Sequence, residues 1–136
     1  MIKIQKKDFS IEKQISILKN KSKNIGAVSN FIGYVSNDNF GKKVNYIFLE
    51  VYKNMANNKL EKITIMAKKK WEIIDCLIIH RYGKIRIGEK IVMVAVISEH
   101  REESFKACKF IMNYLKKEAP FWKKEIYNKK STWLKN

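Results

Sequence analysis

The sequence predicts an α+β fold, with helices packed on a largely antiparallel sheet, and three observations carry that prediction. Apolar residues recur at helical spacing in three separated stretches, and strand-like apolar runs lie between them. The order reads α, β, β, α, β, β, β, α, so strands come in runs and do not alternate strictly with helices. No repeat, low-complexity segment or Pro/Gly/Ser-rich linker breaks that order, so residues 1–136 are expected to form a single domain.

The elements follow in turn. Asp8 or Ser10 caps a first helix carrying Ile11, Ile15 and Leu18, and "NKSKN" breaks it. From Ile25, "IGAVSNFIGYVS" reads as a strand with Ala27, Ser29, Phe31, Gly33 and Val35 on one side, its two glycines pointing to close backbone approach. The polar cluster "NDNFGKK" is a turn, and "VNYIFLEVY" over 44–52 resumes a strand. Ala56, Leu60, Ile63 and Ala67 mark an amphipathic helix ending near Trp71. "CLIIHRYG", "KIRIG" and "KIVMVAVIS" give three strands, the last so continuously apolar that it belongs at the centre of a sheet. A final helix runs from about Glu102 to Glu118 with Phe105, Cys108, Met112 and Leu115 as its core stripe, and Pro120 ends it.

Composition bounds the function. Hydrophobic residues make up 46% and charged residues 31%, which fits a globular chain and is too apolar for disorder. No apolar run reaches the ~20 residues of a membrane helix, and "MIKIQKKDFS" lacks the apolar core of a secretory signal. A cytoplasmic location without membrane contact is expected. The net charge of +16 invites a nucleic-acid reading, but only Arg81, Arg86 and Arg101 are arginine among 29 basic residues. Scattered lysines fit a solvated surface better than base-reading forks do, so no nucleic-acid partner is expected. Cys76 and Cys108 have no CxxC spacing and no histidine pair nearby, and are read as buried, reduced thiols. No metal-site spacing and no glycine-rich phosphate loop is found.

Four stretches hold residues that could carry chemistry. "APFWKKE" places Lys116 in the last helical turn before Pro120 and Lys123 and Lys124 just after it. A rigid bend could return Lys123 toward Lys116, with Phe121 and Trp122 anchoring it; helix capping by solvated lysines is the plainer alternative. "SEHRE" puts His100 and Arg101 between a strand end and a helix start, where an anion can bind, or where Arg101 can simply pair with Glu102 or Glu103. "HRYG", with His80 and Arg81, is assigned a structural role. Glu50, inside the apolar "FLEVY", is expected to sit in a structural ion pair.

Together, "GAVSNFIGYVS", "LEVYKNMA", "IIHRYGKIRIGE", "VAVISEHREESFKA" and "IMNYLKKEAPFWKKE" resemble, in that order, the large catalytic subunit of molybdopterin synthase, the MoaE family. The resemblance spans roughly residues 25 to 133. It implies an α/β hammerhead-type fold with an added small β subdomain. It implies a sulfurtransferase of molybdenum cofactor biosynthesis that converts cyclic pyranopterin monophosphate to molybdopterin. The two sulfurs come from a small ubiquitin-like subunit ending in a Gly-Gly thiocarboxylate, and the assembly is a heterotetramer built on a homodimer of large subunits. No metal and no cofactor is implied for this subunit. The family's catalytic lysines fall on Lys116 and Lys123, and its substrate-contacting pair on His100 and Arg101. Lys124, Glu125 and the strand end Tyr34, Val35 and Ser36 complete the implied substrate contacts.

One position departs from the family. The strand motif Gly-x-Val-Arg reads Gly33, Tyr34, Val35, Ser36 here, so a guanidinium is missing from the implied anion site. Lys42 or Lys43 could compensate. A degenerate copy that binds the partner without activity is the first alternative, and a basic RNA-binding or adaptor module is the second.

Overall fold

The computed structural model describes the backbone of residues 1–36, 38–39, 42–43, 45–118, 121–127 and 130–134, and the side chains of residues 1–36, 45–118 and 121. The chain opens with β1 (Ile2–Gln5), α1 (Ile11–Lys19), β2 (Ala27–Tyr34), β3 (Asp38–Asn39), β4 (Lys42–Lys43) and β5 (Tyr46–Val51). It continues with α2 (Lys53–Lys70), β6 (Asp75–Arg81), β7 (Gly83–Arg86) and β8 (Lys90–Ser98). It closes with α3 (Arg101–Glu118), β9 (Phe121–Tyr127) and β10 (Lys130–Leu134).

Two four-stranded sheets organise these elements, in the orders β1-β6-β8-β2 and β10-β9-β5-β7. Only β1 against β6 is parallel among the pairings described. The continuously apolar β8 is central, as its composition predicts, because both of its faces are covered. Val92, Val94 and Val96 pack against Leu60, Ile63 and Ala67 of α2 and Ala107, Cys108 and Ile111 of α3. The alternate residues Met93, Ala95 and Ile97 pack on the other face with Phe9 and Leu18 from the α1 side.

The helices form where their spacing and caps dictate. Ser10 caps α1, its Oγ accepting from the Lys13 N–H at 3.2 Å. Ala56, Leu60, Ile63 and Ala67 are the buried residues of α2, and the helix stops at Trp71 as its stripe predicts. Of the stripe expected on α3, Cys108 and Leu115 are buried and Met112 packs half-buried against the core, while Phe105 is exposed; Ser104, Ala107 and Ile111 complete the buried face. On that face Ser104 meets Ser29 of β2 at 2.8 Å inside the core, so each buried hydroxyl has a partner.

The sequence-based order lacks β1, the two-residue strands β3 and β4, and the paired β9 and β10. β1 pairs Ile2–Gln5 with Ile78–Arg81, a long-range contact that leaves only four alternating residues as a signal. β9 pairs with both β5 and β10, so "FWKKEIY" is a strand that the sequence-based order does not contain. The bend expected at Pro120 lies outside the described residues. Glu50 is exposed on β5, where the strand alternates, so the buried ion pair expected for it is not required. Cys76 and Cys108 are buried free thiols, and burial pushes Cys108 up to about 11, which leaves it inert at neutral pH.

Gly83, with φ 83°, turns the chain from β6 in the first sheet to β7 in the second. At Gly26 a Cβ would overlap the Glu99 carbonyl oxygen, so that position requires glycine.

Asp75 joins three elements. Its carboxylate takes Lys21 at 3.0 Å, Lys68 of α2 at 3.3 Å and the Cys76 N–H at 2.8 Å. Burial pushes its pKa up, but the Lys21 hydrogen bond, the Cys76 N–H and the Lys68 charge outweigh that, and the net shift is downward. A carboxyl lowered on folding adds stability above its unfolded pKa, lost as pH falls through the folded value. Asp75→Asn is therefore expected to lower Tm at pH 7 by about 3 °C. It should also shrink the drop in Tm between pH 7 and pH 3, which a pair of thermal melts on each protein measures; an unchanged drop refutes the assignment.

Candidate active site at the joint of the two sheets

A cavity of about 550 Å³ opens where the two sheets and α3 meet. The first sheet contributes Phe31, His80, Ile91 and Val92, and the second contributes Ile47 and Leu49. The last two turns of α3 add Met112, Asn113, Leu115 and Lys116. The described lining is thus apolar with three polar groups. Lys116 is exposed at the rim and is the one ammonium among the described lining residues. The helix end it occupies is held by Lys59 of α2, whose Nζ donates to the Glu118 carbonyl at 3.3 Å.

Lys123 enters through the backbone. β9 runs antiparallel to β5, and Lys123 stands opposite Leu49, a residue of the cavity wall. Lys124 and Glu125 stand opposite Phe48 and Ile47. Their side chains, and those of Trp122, Lys42 and Lys43, lie outside the described residues. Phe121, which opens β9, is buried as expected.

His100 and Arg101 occupy a different place. Both are exposed at the start of α3 and line a shallow pocket of about 670 Å³ with Gly26, Glu99, Glu102 and Phe105. Glu102 pairs with Lys106 at 3.5 Å, and among the described residues Arg101 makes no ion pair. Ser104 Oγ donates to the Arg101 carbonyl at 2.9 Å and Ser98 Oγ to that of His100, fixing this turn. At a rise of ~1.5 Å per residue, Arg101 and Lys116 lie about 22 Å apart along one helix. Among the described residues the two pockets share no lining residue.

The strand end divides as well. Tyr34 and Ser36 are exposed, whereas Val35 is buried with Ile47, Leu49 and Ile85. The Val35 N–H donates to the Glu89 carbonyl at 3.0 Å, and its carbonyl accepts from the Gly88 N–H at 2.9 Å. Val35 therefore packs the wall behind the cavity.

The "HRYG" pair separates into two roles. Arg81 is structural as expected: it is buried, and its guanidinium donates to the carbonyls of Lys6 at 3.0 Å and Lys90 at 2.8 Å. His80 instead faces the cavity beside Lys116. Sequence reasoning missed it because its neighbour Phe121, stacked on the ring, comes from a distant strand. Among the described residues no three His, Cys, Asp or Glu side chains converge as metal ligands would. No helix among them is long and apolar enough to cross a membrane.

Residues 4–118 match the family described as "MoaE protein". The chain belongs to the MoaE family. A molybdopterin synthase catalytic subunit from Ralstonia nicotianae is 46% identical over 133 residues, covering 98% of this chain and 76% of that protein. One from Vibrio cholerae is 41% identical, covering 98% and 88%. A crystal structure of molybdopterin synthase from Staphylococcus aureus superposes with TM-score 0.91 at 30% identity, covering 98% and 96%. As a MoaE family member the chain is an enzyme of molybdopterin synthesis, and the α+β fold expected from its sequence is that of the family.

Proposed function

We propose that this chain is the catalytic large subunit of a molybdopterin synthase. It converts cyclic pyranopterin monophosphate to molybdopterin by transferring two sulfurs from the C-terminal thiocarboxylate of a small ubiquitin-like subunit. The observation that carries this reading is the cavity at the joint of the sheets, apolar in its walls, with Lys116 at its rim and the Lys123 backbone along its edge. Both reactants are anionic, and a fixed ammonium in a site walled by apolar groups stabilises charge that develops during transfer.

Lys116 stands beside the incoming thiocarboxylate, and Lys123 binds the pterin and moves a proton. Lys116 is solvent-exposed in the single chain, so the desolvation that lets a lysine exchange its proton comes from the docked tail and pterin. Tyr34 and Ser36, with Lys124 and Glu125, complete the substrate contacts of this pocket. His100 and Arg101 reach a pterin from the second copy in a homodimer, since in one chain they line a separate pocket. Two small subunits on that dimer make the heterotetramer, which acts in the cytoplasm.

The test is a reconstituted assay. Purified protein, thiocarboxylated small subunit and cyclic pyranopterin monophosphate are mixed, and molybdopterin is read as its fluorescent oxidation product. Product supports the reading; none, despite bound small subunit, overturns it in favour of an inactive copy. Ser36→Arg restores the guanidinium the family carries at this position. Its expected effect is a KM for the pterin lowered roughly 10-fold or more, as one charge-assisted contact gives. An unchanged KM means that the charge is not missed here.

A further inference from the structure

The cavity beside Lys116 holds a second polar group with a defined chemical state. His80 lies near the end of β6, where the chain leaves the first sheet for the second. Its Nδ1 is 2.9 Å from the Arg81 carbonyl oxygen. A carbonyl only accepts, so Nδ1 carries the hydrogen. The ring is stacked on Phe121, with centroids 3.6 Å apart and planes 16° from parallel, which fixes its plane. Burial pushes the His80 pKa down to about 4, against the hydrogen bond to Arg81 that raises it, so the ring is neutral at pH 7.

A neutral imidazole with its hydrogen on Nδ1 leaves a bare lone pair on Nε2. Among the described residues nothing donates to it. The cavity that His80 lines is mainly carbon, from residues such as Phe31, Leu49, Val92 and Met112. An acceptor in such a setting loses free energy if a ligand displaces water without replacing its hydrogen bond, and recovers it from a ligand that brings a donor. The ring is locked on two sides, so the lone pair costs little further ordering when it binds.

We infer that His80 is a substrate-binding residue of this pocket, its Nε2 accepting a hydrogen bond from an N–H or O–H of the bound pterin. This rests on the function proposed above and adds to it a residue with a different task. Lys116 supplies charge, which attracts any anion. His80 supplies direction, because a lone acceptor selects a donor edge of the ligand over a carbonyl edge.

Two variants separate the lone pair from the ring. His80→Phe keeps an aromatic face for Phe121 and removes the acceptor, whereas His80→Gln offers an amide oxygen near the position of Nε2. Pterin affinity is read by calorimetry, alongside KM and kcat in the reconstituted assay and binding of the small subunit. Losing one hydrogen bond predicts roughly 3- to 10-fold weaker pterin binding in His80→Phe, with small-subunit binding unchanged, and recovery to within about 2-fold in His80→Gln. If His80→Phe does not fold, His80→Leu read against His80→Gln makes the same comparison. A parent that turns over while its acceptor-free variant binds pterin equally well overturns this inference alone, as does His80→Gln binding no better than that variant. A parent that neither binds nor converts the pterin overturns the proposed function and this inference together.

Discussion

Lys116→Ala is expected to abolish detectable molybdopterin formation while leaving the protein folded. Removing a single preorganised charge from a reacting site costs about 10²- to 10³-fold in rate. Among the described lining residues no second charge takes its place, since His80 is neutral at pH 7 and Asn113 is uncharged. The same substitution touches no core contact, because Lys116 is exposed and lies between the buried Leu115 and the carbonyl that Lys59 caps. Stability is therefore expected to change by no more than about 0.5 kcal/mol. Lys116→Arg sharpens the reading: it keeps the charge but gives up a proton far less readily. A rate rescued by arginine assigns Lys116 to charge stabilisation, and a rate that stays lost assigns it to proton transfer. The measurements are the fluorescent product, a thermal melt and a pull-down of the small subunit. If Lys116→Ala retains a rate within tenfold of the parent, the cavity at the sheet joint is not the reaction site.

What the sequence reveals of this molecule follows the range of its interactions. The α2 stripe and the centre of β8 are legible because their residues carry both the spacing and the burial signal locally. β1 is not, since four alternating residues become a strand only when β6 offers its edge some 75 residues away. The lysines of "FWKKEIY" suggest solvent, yet β5 and β10 supply the ladder that makes it strand. In α3 the small residues Ser104 and Ala107 join the buried face, while Phe105, which an apolar count favours, is exposed in the pocket of His100 and Arg101. The site follows the same rule. Lys116 and the His100–Arg101 pair stand out in short motifs, but that they line separate pockets at opposite ends of one helix is a property of the fold. His80 is legible only as part of a motif, because its tautomer and orientation come from Arg81 and Phe121.

That separation makes the second large effect, and it concerns mixtures. Arg101→Ala is expected to cost about 10- to 100-fold in activity, as loss of a charge-assisted contact to a phosphate does. Lys116→Ala costs more, so each variant alone is nearly silent. In a symmetric dimer whose pocket joins Lys116 of one copy to Arg101 of the other, a mixed dimer carries both lesions in one pocket and none in the second. Equal amounts of the two variants, unfolded and reassembled together, then recover about a quarter of parental activity, because half the dimers are mixed and each has one intact pocket. If instead each copy brings its own Arg101 to its own Lys116, every pocket in every dimer keeps one lesion and the mixture stays as silent as its components. Lying about 22 Å apart along α3 and lining different pockets, the two side chains favour the first outcome. Activity of the mixture, measured against each variant reassembled alone, decides between them. Recovery would locate the second copy in the reaction itself, making the dimer a requirement of the chemistry.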